Sequence, residues 1–376
     1  MKQKILLVFG TRPEAIKMAL LAKELEANPN NFICDVCVTA QHREMLDQVL
    51  GFFQITPKYD LNLMRPGQNL SELTCNVLTG MRDILESETY DWVFVHGDTT
   101  TSFAASLAAF YAKTNVAHVE AGLRTYDKYS PFPEEINRQL TGRIADYHFA
   151  PTEAAKLNLQ REHIPADKIL VAGNTVIDSL LWAVDRVEAF EDEEITYLRK
   201  MMASFTEKKI ILVTGHRREN FGNGFTNICE AIREIALNTD VEVIYPVHLN
   251  PNVQAPVYAI LDNISNIHLI KPLSYPAFVW LMKRAYIILT DSGGIQEEAP
   301  SLGKPVLVLR DNTERPEAVE AGTVKLVGTN KVKIIAETNL LLSDESAYEA
   351  MIHKHNPYGD GKACKRIVSF LNQSNV

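Results

Sequence analysis

With 376 residues, the chain is long enough for two ordinary domains, each burying its own core. Hydrophobic residues make up 46% and charged residues 23%, a globular composition with no signature of disorder. The formal net charge of -9 argues against a nucleic-acid partner, whose phosphates are met by clustered Lys and Arg, so any anionic ligand must be held locally.

Short β-rich runs alternate with helical stretches from end to end, which predicts parallel α/β sheets covered on both faces. In the first half, strands are predicted at Lys4 to Phe9, Phe32 to Thr39, Trp92 to His96, Val116 to Val119 and Tyr147 to Ala150. Helices are predicted between them, among others at Glu14 to Glu26, Leu70 to Ser87, Thr101 to Lys113 and Glu134 to Ala145. The second half repeats the plan with strands at Ile210 to Thr214, Val241 to Val247, Ile267 to Ile270, Ile287 to Thr290 and Val306 to Leu309. Two doubly wound, Rossmann-like domains are therefore expected, residues 1–172 and 173–361, with Gly173-Asn174-Thr175 as the hinge. The ligand is expected at strand C-terminal ends, in the cleft between the domains.

Met1-Lys2-Gln3-Lys4 leads directly into an apolar strand too short for a signal segment, and no apolar run approaches the roughly 20 residues that span a bilayer. A cytoplasmic protein without a membrane partner is expected. The five cysteines (Cys34, Cys37, Cys75, Cys229, Cys364) are odd in number and scattered, so no disulfide framework is implied. Cys34-x-x-Cys37 has the spacing of a metal knuckle, but no second pair exists and the segment reads as a strand. No His/Asp/Glu group has metal spacing, and neither G-x-G-x-x-G nor G-x-x-x-x-G-K-[ST] is present, so no metal and no cofactor is expected.

Chemistry-bearing residues fall repeatedly just after strands. Gly10-Thr11-Arg12-Pro13-Glu14 offers Arg12 at a helix start with Lys17 about one turn on, two cations for phosphate or for charge developing on a leaving group. His96-Gly97-Asp98-Thr99-Thr100 places Asp98 where it could equally cap the following helix. Glu120 ends the next strand, near Arg124 and Arg138 as potential structural partners, and Glu134 and Glu135 open a helix after Pro131-Phe132-Pro133. Asp98, Glu120 and Glu134 together exceed what capping needs and suggest proton transfer, with closely spaced acids pushing their pKa values apart.

In the second half, Thr214-Gly215-His216-Arg217-Arg218-Glu219 is a strand-to-helix loop in which His216 can donate to phosphate or a bridging oxygen. Asp291-Ser292-Gly293-Gly294 then leads into a helix whose unpaired backbone N–H groups suit a diphosphate. Glu297 and Glu298, read as lying on the first turn of that helix, would be repelled by phosphate, so at least one is expected to accept from sugar hydroxyls. Arg315 follows another strand end and adds a cation.

These motifs, with Gln41-His42-Arg43-Glu44, Val247-His248-Leu249-Asn250-Pro251, Glu314-Arg315-Pro316-Glu317 and His355-Asn356-Pro357-Tyr358-Gly359-Asp360-Gly361, closely resemble the bacterial non-hydrolysing UDP-N-acetylglucosamine 2-epimerases across essentially the whole chain. The resemblance implies a glycosyltransferase-B-like fold, with the last helix, residues 362–376, packing back on the first domain. It also implies a reaction: interconversion of UDP-N-acetylglucosamine and UDP-N-acetylmannosamine through UDP elimination to 2-acetamidoglucal and re-addition. That reaction would supply N-acetylmannosamine units for surface polysaccharide.

By motif matching, Asp98, Glu120 and Glu134 resemble the family's acid/base carboxylates, and His216 resembles its contact to the diphosphate or glycosidic oxygen. Arg12, Lys17, Ser292, Gly293, Gly294 and Glu298 match UDP and ribose contacts. Leu273, through its backbone, and Phe278 match uracil contacts, and Arg315 faces the sugar. A regulatory site for UDP-N-acetylglucosamine as activator would involve Gln41, His42, Arg65, Gln68 and His248, and a homodimer is usual for the family. Competing readings are a hydrolysing epimerase, a retaining glycosyltransferase of the same architecture, and a UDP-sugar sensor without turnover. The three acids speak against the sensor.

Overall fold

The computed structural model describes residues 2–39, 43–63, 65 and 67–373. It divides into two compact units, Met1–Leu181 with Tyr358–Val376, and Trp182–Pro357. In the first unit, strands β1 (Gln3–Phe9), β2 (Phe32–Val38), β3 (Tyr59–Asp60), β4 (Trp92–His96), β5 (Asn115–Val119), β6 (Tyr147–Ala150) and β7 (Ile169–Val171) form one sheet. Its order is β3-β2-β1-β4-β5-β6-β7, parallel throughout.

In the second unit, β8 (Lys209–Thr214), β9 (Val241–Pro246), β10 (Ile267–Ile270), β11 (Ile287–Thr290), β12 (Val306–Val308) and β13 (Val324–Leu326) form a parallel sheet in the order β10-β9-β8-β11-β12-β13. The ten strands named from sequence are all present, with ends within a residue or so of expectation. The three not anticipated, β3, β7 and β13, are two or three residues long and lie at sheet edges. An edge strand buried on few sides needs no apolar run long enough to stand out.

The interior follows from the pattern. Leu6, Val8, Val93 and Val95 meet Ala104, Ala105, Ala108 and Ala109 of the helix Thr100–Tyr111, whose small side chains let it pack closely against Val77 and Met81 of the helix Leu70–Ser87. In the second unit Ile211, Val213, Leu289 and Leu307 meet Phe225, Ile228 and Ile232 of the helix Asn223–Asn238.

The division does not fall at the expected hinge. It lies inside the helix Thr175–Arg186, because the first two turns of that helix are bonded to the first unit. Ser179 Oγ donates to the Ile16 carbonyl at 2.5 Å, and the buried Asp178 carboxylate accepts from the backbone N–H groups of Ala363 and Cys364 at 3.1 and 2.9 Å. Those are the opening N–H groups of the last helix, Ala363–Gln373, which packs beside the helix Arg12–Glu26 and sets Phe370 against Tyr147 and Phe149. The return to the first unit begins at Tyr358, before the last helix rather than with it. Among the described residues, no helix is long and apolar enough to cross a membrane.

Asp178→Ala removes two bonds to otherwise unpaired helix N–H groups, so urea denaturation should show a loss of about 1–3 kcal/mol, with Asp178→Asn losing less. A second expectation concerns acid. Burial holds His96, His118 and His148 neutral, with pKa values lowered from 6.5 to about 4, 3 and 4. Protons therefore bind the unfolded chain preferentially, and stability is full above about 6.5 and declines as pH falls toward about 4. Urea midpoints compared at neutral and mildly acid pH check the sign.

Candidate active site

In both sheets the strand order reverses once, between β1 and β4 and between β8 and β11. Loops leaving the C-terminal ends of such neighbours diverge and leave a crevice. The loops carrying Arg12, Asp98, His216 and Ser292 leave these strand ends, and those carrying Glu120 and Arg315 follow the neighbouring strands β5 and β12.

In the first unit the loop after β1 is fixed by Glu14. Its buried carboxylate accepts from the N–H groups of Gly10 (3.0 Å) and Thr11 (2.7 Å), and from the hydroxyls of Thr99 (2.6 Å) and Ser102 (3.2 Å) in the loop and helix after β4. Burial pushes this carboxyl above its ordinary range, while those donors pull it down. Arg12 is the first residue of the helix and half-buried.

The cap of the helix after β4 is Thr99, whose hydroxyl accepts from Ser102 N–H at 3.1 Å. Asp98 is thereby relieved of the capping role considered for it. Its carboxylate pairs with Arg138, and Asn137 donates to its carbonyl at 3.1 Å, so the helix Glu134–Ile144 reaches over the end of β4. Burial raises the Asp98 carboxyl, the Arg138 charge lowers it, and the nearby Glu120 charge raises it again.

Glu120 directly follows β5 with φ of +59°, a left-handed conformation that a non-glycine residue adopts only when its surroundings impose it. Two residues on, Gly122 has φ of +94°, and a Cβ there would lie 2.3 Å from the Ala155 carbonyl oxygen, so the turn requires glycine. The Glu120 carboxylate is nearly buried. Its Oε2 pairs with Lys17, accepts from Asn174 Nδ2 at 2.9 Å, and lies 3.7 Å from His96 Nε2. Lys17, expected among the UDP contacts, thus stands beside an acid/base candidate.

Glu134 is half-buried at the first position of its helix, and among the described residues its carboxylate bonds to neither Asp98 nor Glu120. Arg138, on the same helix, carries the link to Asp98. Its neighbour Glu135 is a structural clasp, fully buried and accepting from the N–H groups of Thr125 and Tyr126, both at 3.0 Å, and from Gln139 Nε2 at 2.8 Å. Burial raises its carboxyl, but these donors leave it below the ordinary range.

In the second unit the organising group is Asp291, a carboxylate that the sequence places in a turn. It is fully buried at the end of β11, and its Oδ2 accepts from His216 N–H (2.9 Å), Arg217 N–H (2.8 Å) and Asn220 Nδ2 (3.3 Å). It therefore fixes the loop after β8. Its Oδ1 lies 3.7 Å from His216 Nδ1. The His216 ring is part-exposed and stacks on His248 with centroids 5.2 Å apart. Its pKa is lowered, by burial first, with Asp291 opposing and the His248 and Arg217 charges assisting.

The helix after Ser292 spans only Gly293–Glu298, so Glu297 and Glu298 lie at its end, not on its first turn. Buried Glu297 pairs with Arg315 Nε at 2.5 Å, and Glu298 accepts from Tyr275 Oη at 3.2 Å. Ser292 precedes the helix without a side-chain capping bond. Arg315 and Arg217 both bring guanidinium atoms within 3.8 Å of where a Cβ on Gly293 would stand, with Gly294 next in the chain. Arg217 was missed as a site residue; its adjacency to His216 in an Arg-rich strand-end loop was the available signal. Leu273 lines a surface cavity of about 430 Å³ with Glu193, Glu194, Tyr197 and Pro272, and Phe278 lies on the helix Tyr275–Arg284.

Of the residues matched to a regulatory site, Gln41 and His42 lie outside the described residues. Arg65 is exposed, its carbonyl accepting from Gln68 N–H at 3.2 Å, and exposed His248 accepts from Asn250 N–H at 3.1 Å. Cys34 and Cys37 lie in β2 with free thiols, and among the described residues no group of three His, Cys, Asp or Glu could hold a metal ion.

The family model described as UDP-N-acetylglucosamine 2-epimerase matches residues 23–372. The chain belongs to that family. It is 59% identical over 374 residues to UDP-N-acetylglucosamine 2-epimerase of Salmonella typhimurium and 58% identical over 374 residues to that of Escherichia coli K12, in each case covering 99% of both chains. Among solved structures it is similar to UDP-GlcNAc 2-epimerase from Neisseria meningitidis bound to UDP-GlcNAc, at 53% identity and TM-score 0.88, covering 99% of this chain and 100% of that one. A Listeria monocytogenes structure described as a putative UDP-N-acetylglucosamine 2-epimerase matches with TM-score 0.92 at 48% identity, covering 99% and 96%. The two Rossmann-like domains and the glycosyltransferase-B-like fold class expected from sequence are those of these family structures.

Arg138→Gln removes the charge that draws the Asp98 carboxyl down. The ionisation of Asp98 should then move to higher pH by about one unit or more. The dependence of turnover on pH checks this, and a midpoint that stays in place or falls contradicts the pairing.

Proposed function

We propose that this chain interconverts UDP-N-acetylglucosamine and UDP-N-acetylmannosamine by elimination and re-addition of UDP. The observation carrying this reading is that two carboxylates at adjacent strand ends, Asp98 and Glu120, sense each other's charge yet each has its own cation, Arg138 or Lys17. Acids so differentiated suit proton removal and delivery, which a sugar-binding protein without turnover has no use for. Family membership supports the same activity, as does the UDP-GlcNAc bound in the Neisseria meningitidis relative.

The hydrogen at C2 of the sugar is not beside a ring carbonyl, so its simple removal leaves a poorly stabilised carbanion. Elimination avoids that. A carboxylate takes the C2 proton as the C1–O bond breaks, the electron pair of C2–H becomes the C1=C2 double bond, and UDP departs with the C1–O electrons. Re-addition reverses each change, with the proton arriving on the opposite face of C2. Asp98, Glu120 and Glu134 are the candidates for the two proton transfers. In the second unit, His216, Arg217 and Arg315 supply donors and positive charge for the departing diphosphate, beside the Ser292-Gly293-Gly294 turn. Arg12, Glu298, Leu273 and Phe278 serve the remainder of the UDP.

Incubation with UDP-N-acetylglucosamine in heavy water should place deuterium at C2 of a product that remains UDP-linked, as read by NMR. Asp98→Asn, Glu120→Gln and Glu134→Gln should each cut turnover by roughly a hundredfold or more, with substrate binding retained. Accumulation of free N-acetylmannosamine and UDP would establish the hydrolysing reaction instead. Donor unchanged at C2 until an acceptor is supplied would establish glycosyl transfer.

A further inference from the structure

Along the C-terminal edge of the second sheet, hydroxyl and amide groups form a continuous run across β8, β11 and β12, which are neighbours in that order. Thr214 Oγ1, at the end of β8, and Thr290 Oγ1, at the end of β11, lie 2.6 Å apart. Thr290 Oγ1 also accepts from Ser292 N–H at 3.0 Å. From the Ser292 carbonyl the run continues through Gln296, whose Nε2 donates to it at 3.2 Å and whose Oε1 accepts from Thr313 Oγ1 at 2.8 Å. Thr313 Oγ1 in turn accepts from Arg315 N–H at 3.1 Å.

The direction of each of these last bonds is fixed by its ends. A carbonyl can only accept and a backbone N–H can only donate, so the Gln296 nitrogen faces Ser292 and the Thr313 hydroxyl proton faces Gln296 Oε1. Gln296 is fully buried in the short helix Gly293–Glu298. Burying an amide is costly unless both its ends are bonded, and an apolar side chain of the same length would fill the space without that cost. What the amide adds is geometric: it is a strut of set length from the turn after β11 to the loop after β12. Its neighbour Glu297 grips the same loop a second time, pairing with Arg315 Nε at 2.5 Å. Held in this way, the Arg315 guanidinium comes within 3.8 Å of where a Cβ on Gly293 would stand.

We propose that Gln296 is a positioning residue for the diphosphate: by spanning Ser292 and Thr313, it holds Arg315 and the Ser292-Gly293-Gly294 turn at the separation in which they meet phosphate together. The role rests on the diphosphate reading given above. Gln296 itself has no exposed surface and meets no ligand directly. The oxygen that leaves C1 belongs to the β-phosphate, so groups placed for its departure meet the phosphate that UDP carries and UMP lacks.

Gln296→Met keeps the length and fills the space while removing both bonds. Thr313→Val removes the hydroxyl between Gln296 and Arg315 at a half-buried position, and Thr313→Ser retains it. Titration calorimetry on the whole chain, with UDP and with UMP, reads the effect. In Gln296→Met and in Thr313→Val the Kd for UDP should rise about tenfold while that for UMP changes less than about threefold, and Thr313→Ser should bind UDP as the wild type does. The double variant Gln296→Met/Thr313→Val should lose little more than either single one, because both break the same strut. Thr313→Val carries the test if Gln296→Met does not fold. A merely structural residue would instead lower the melting temperature and leave the ratio of the two constants at its wild-type value; that result in the folded variants, or additive losses in the double variant, overturns the proposal. Wild-type protein that binds UDP no more tightly than UMP overturns the diphosphate reading itself, whereas a wild-type preference for UDP that the variants retain overturns only the role of Gln296.

Discussion

The constraint on which the rest depends is strand direction. All strands of each sheet run the same way, so their C-terminal ends share one edge, and a single reversal of order opens that edge between two neighbouring loops. Asp98 and Glu120 leave β4 and β5, and His216 and the Asp291–Gly294 segment leave β8 and β11. None of these side chains is near its partners in sequence. Parallel pairing brings the strand ends together, and the apolar strands that enforce the pairing are the least polar part of the chain.

Two kinds of carboxylate can be told apart among those described above. Glu14, Glu135, Asp178 and Asp291 accept two or more bonds, chiefly from backbone N–H groups, and serve as anchors for loops and helix starts. Asp98 and Glu120 instead face cationic side chains, Arg138 and Lys17. The difference is chemical as well as architectural. Backbone donors are fixed in place and hold a carboxylate rigidly, whereas a flexible side-chain cation can follow charge as it appears and disappears.

How much was legible in the sequence follows from the same distinction. The central strands were readable because their hydrophobic runs are continuous, and the acids after β4 and β5 because polar residues stand out at the end of such runs. Asp291 stood in the same position after β11 but was read as a turn residue, since a carboxylate that binds backbone N–H groups of a distant loop leaves no partner visible in sequence. Thr99 displaced Asp98 as the helix cap through a one-residue difference in helix start, a difference periodicity does not resolve. Lys17 was placed with phosphate because its charge was visible and its partner across the sheet, Glu120, was not. Glu297 was misplaced on the first turn and its ion pair with Arg315 was unseen for the same reason.

The discontinuity of the first unit carries a consequence for biogenesis. Residues 358–376 complete a body begun at the opposite end of the chain, and Asp178 waits on the N–H groups of Ala363 and Cys364 to be satisfied. Synthesis proceeds from the N-terminus, so the middle segment, 182–357, is made before the residues that complete the earlier one. The portion synthesised first is therefore the last to become complete, and until then the apolar surface meant for Ile367, Val368 and Leu371 stays open to chaperones.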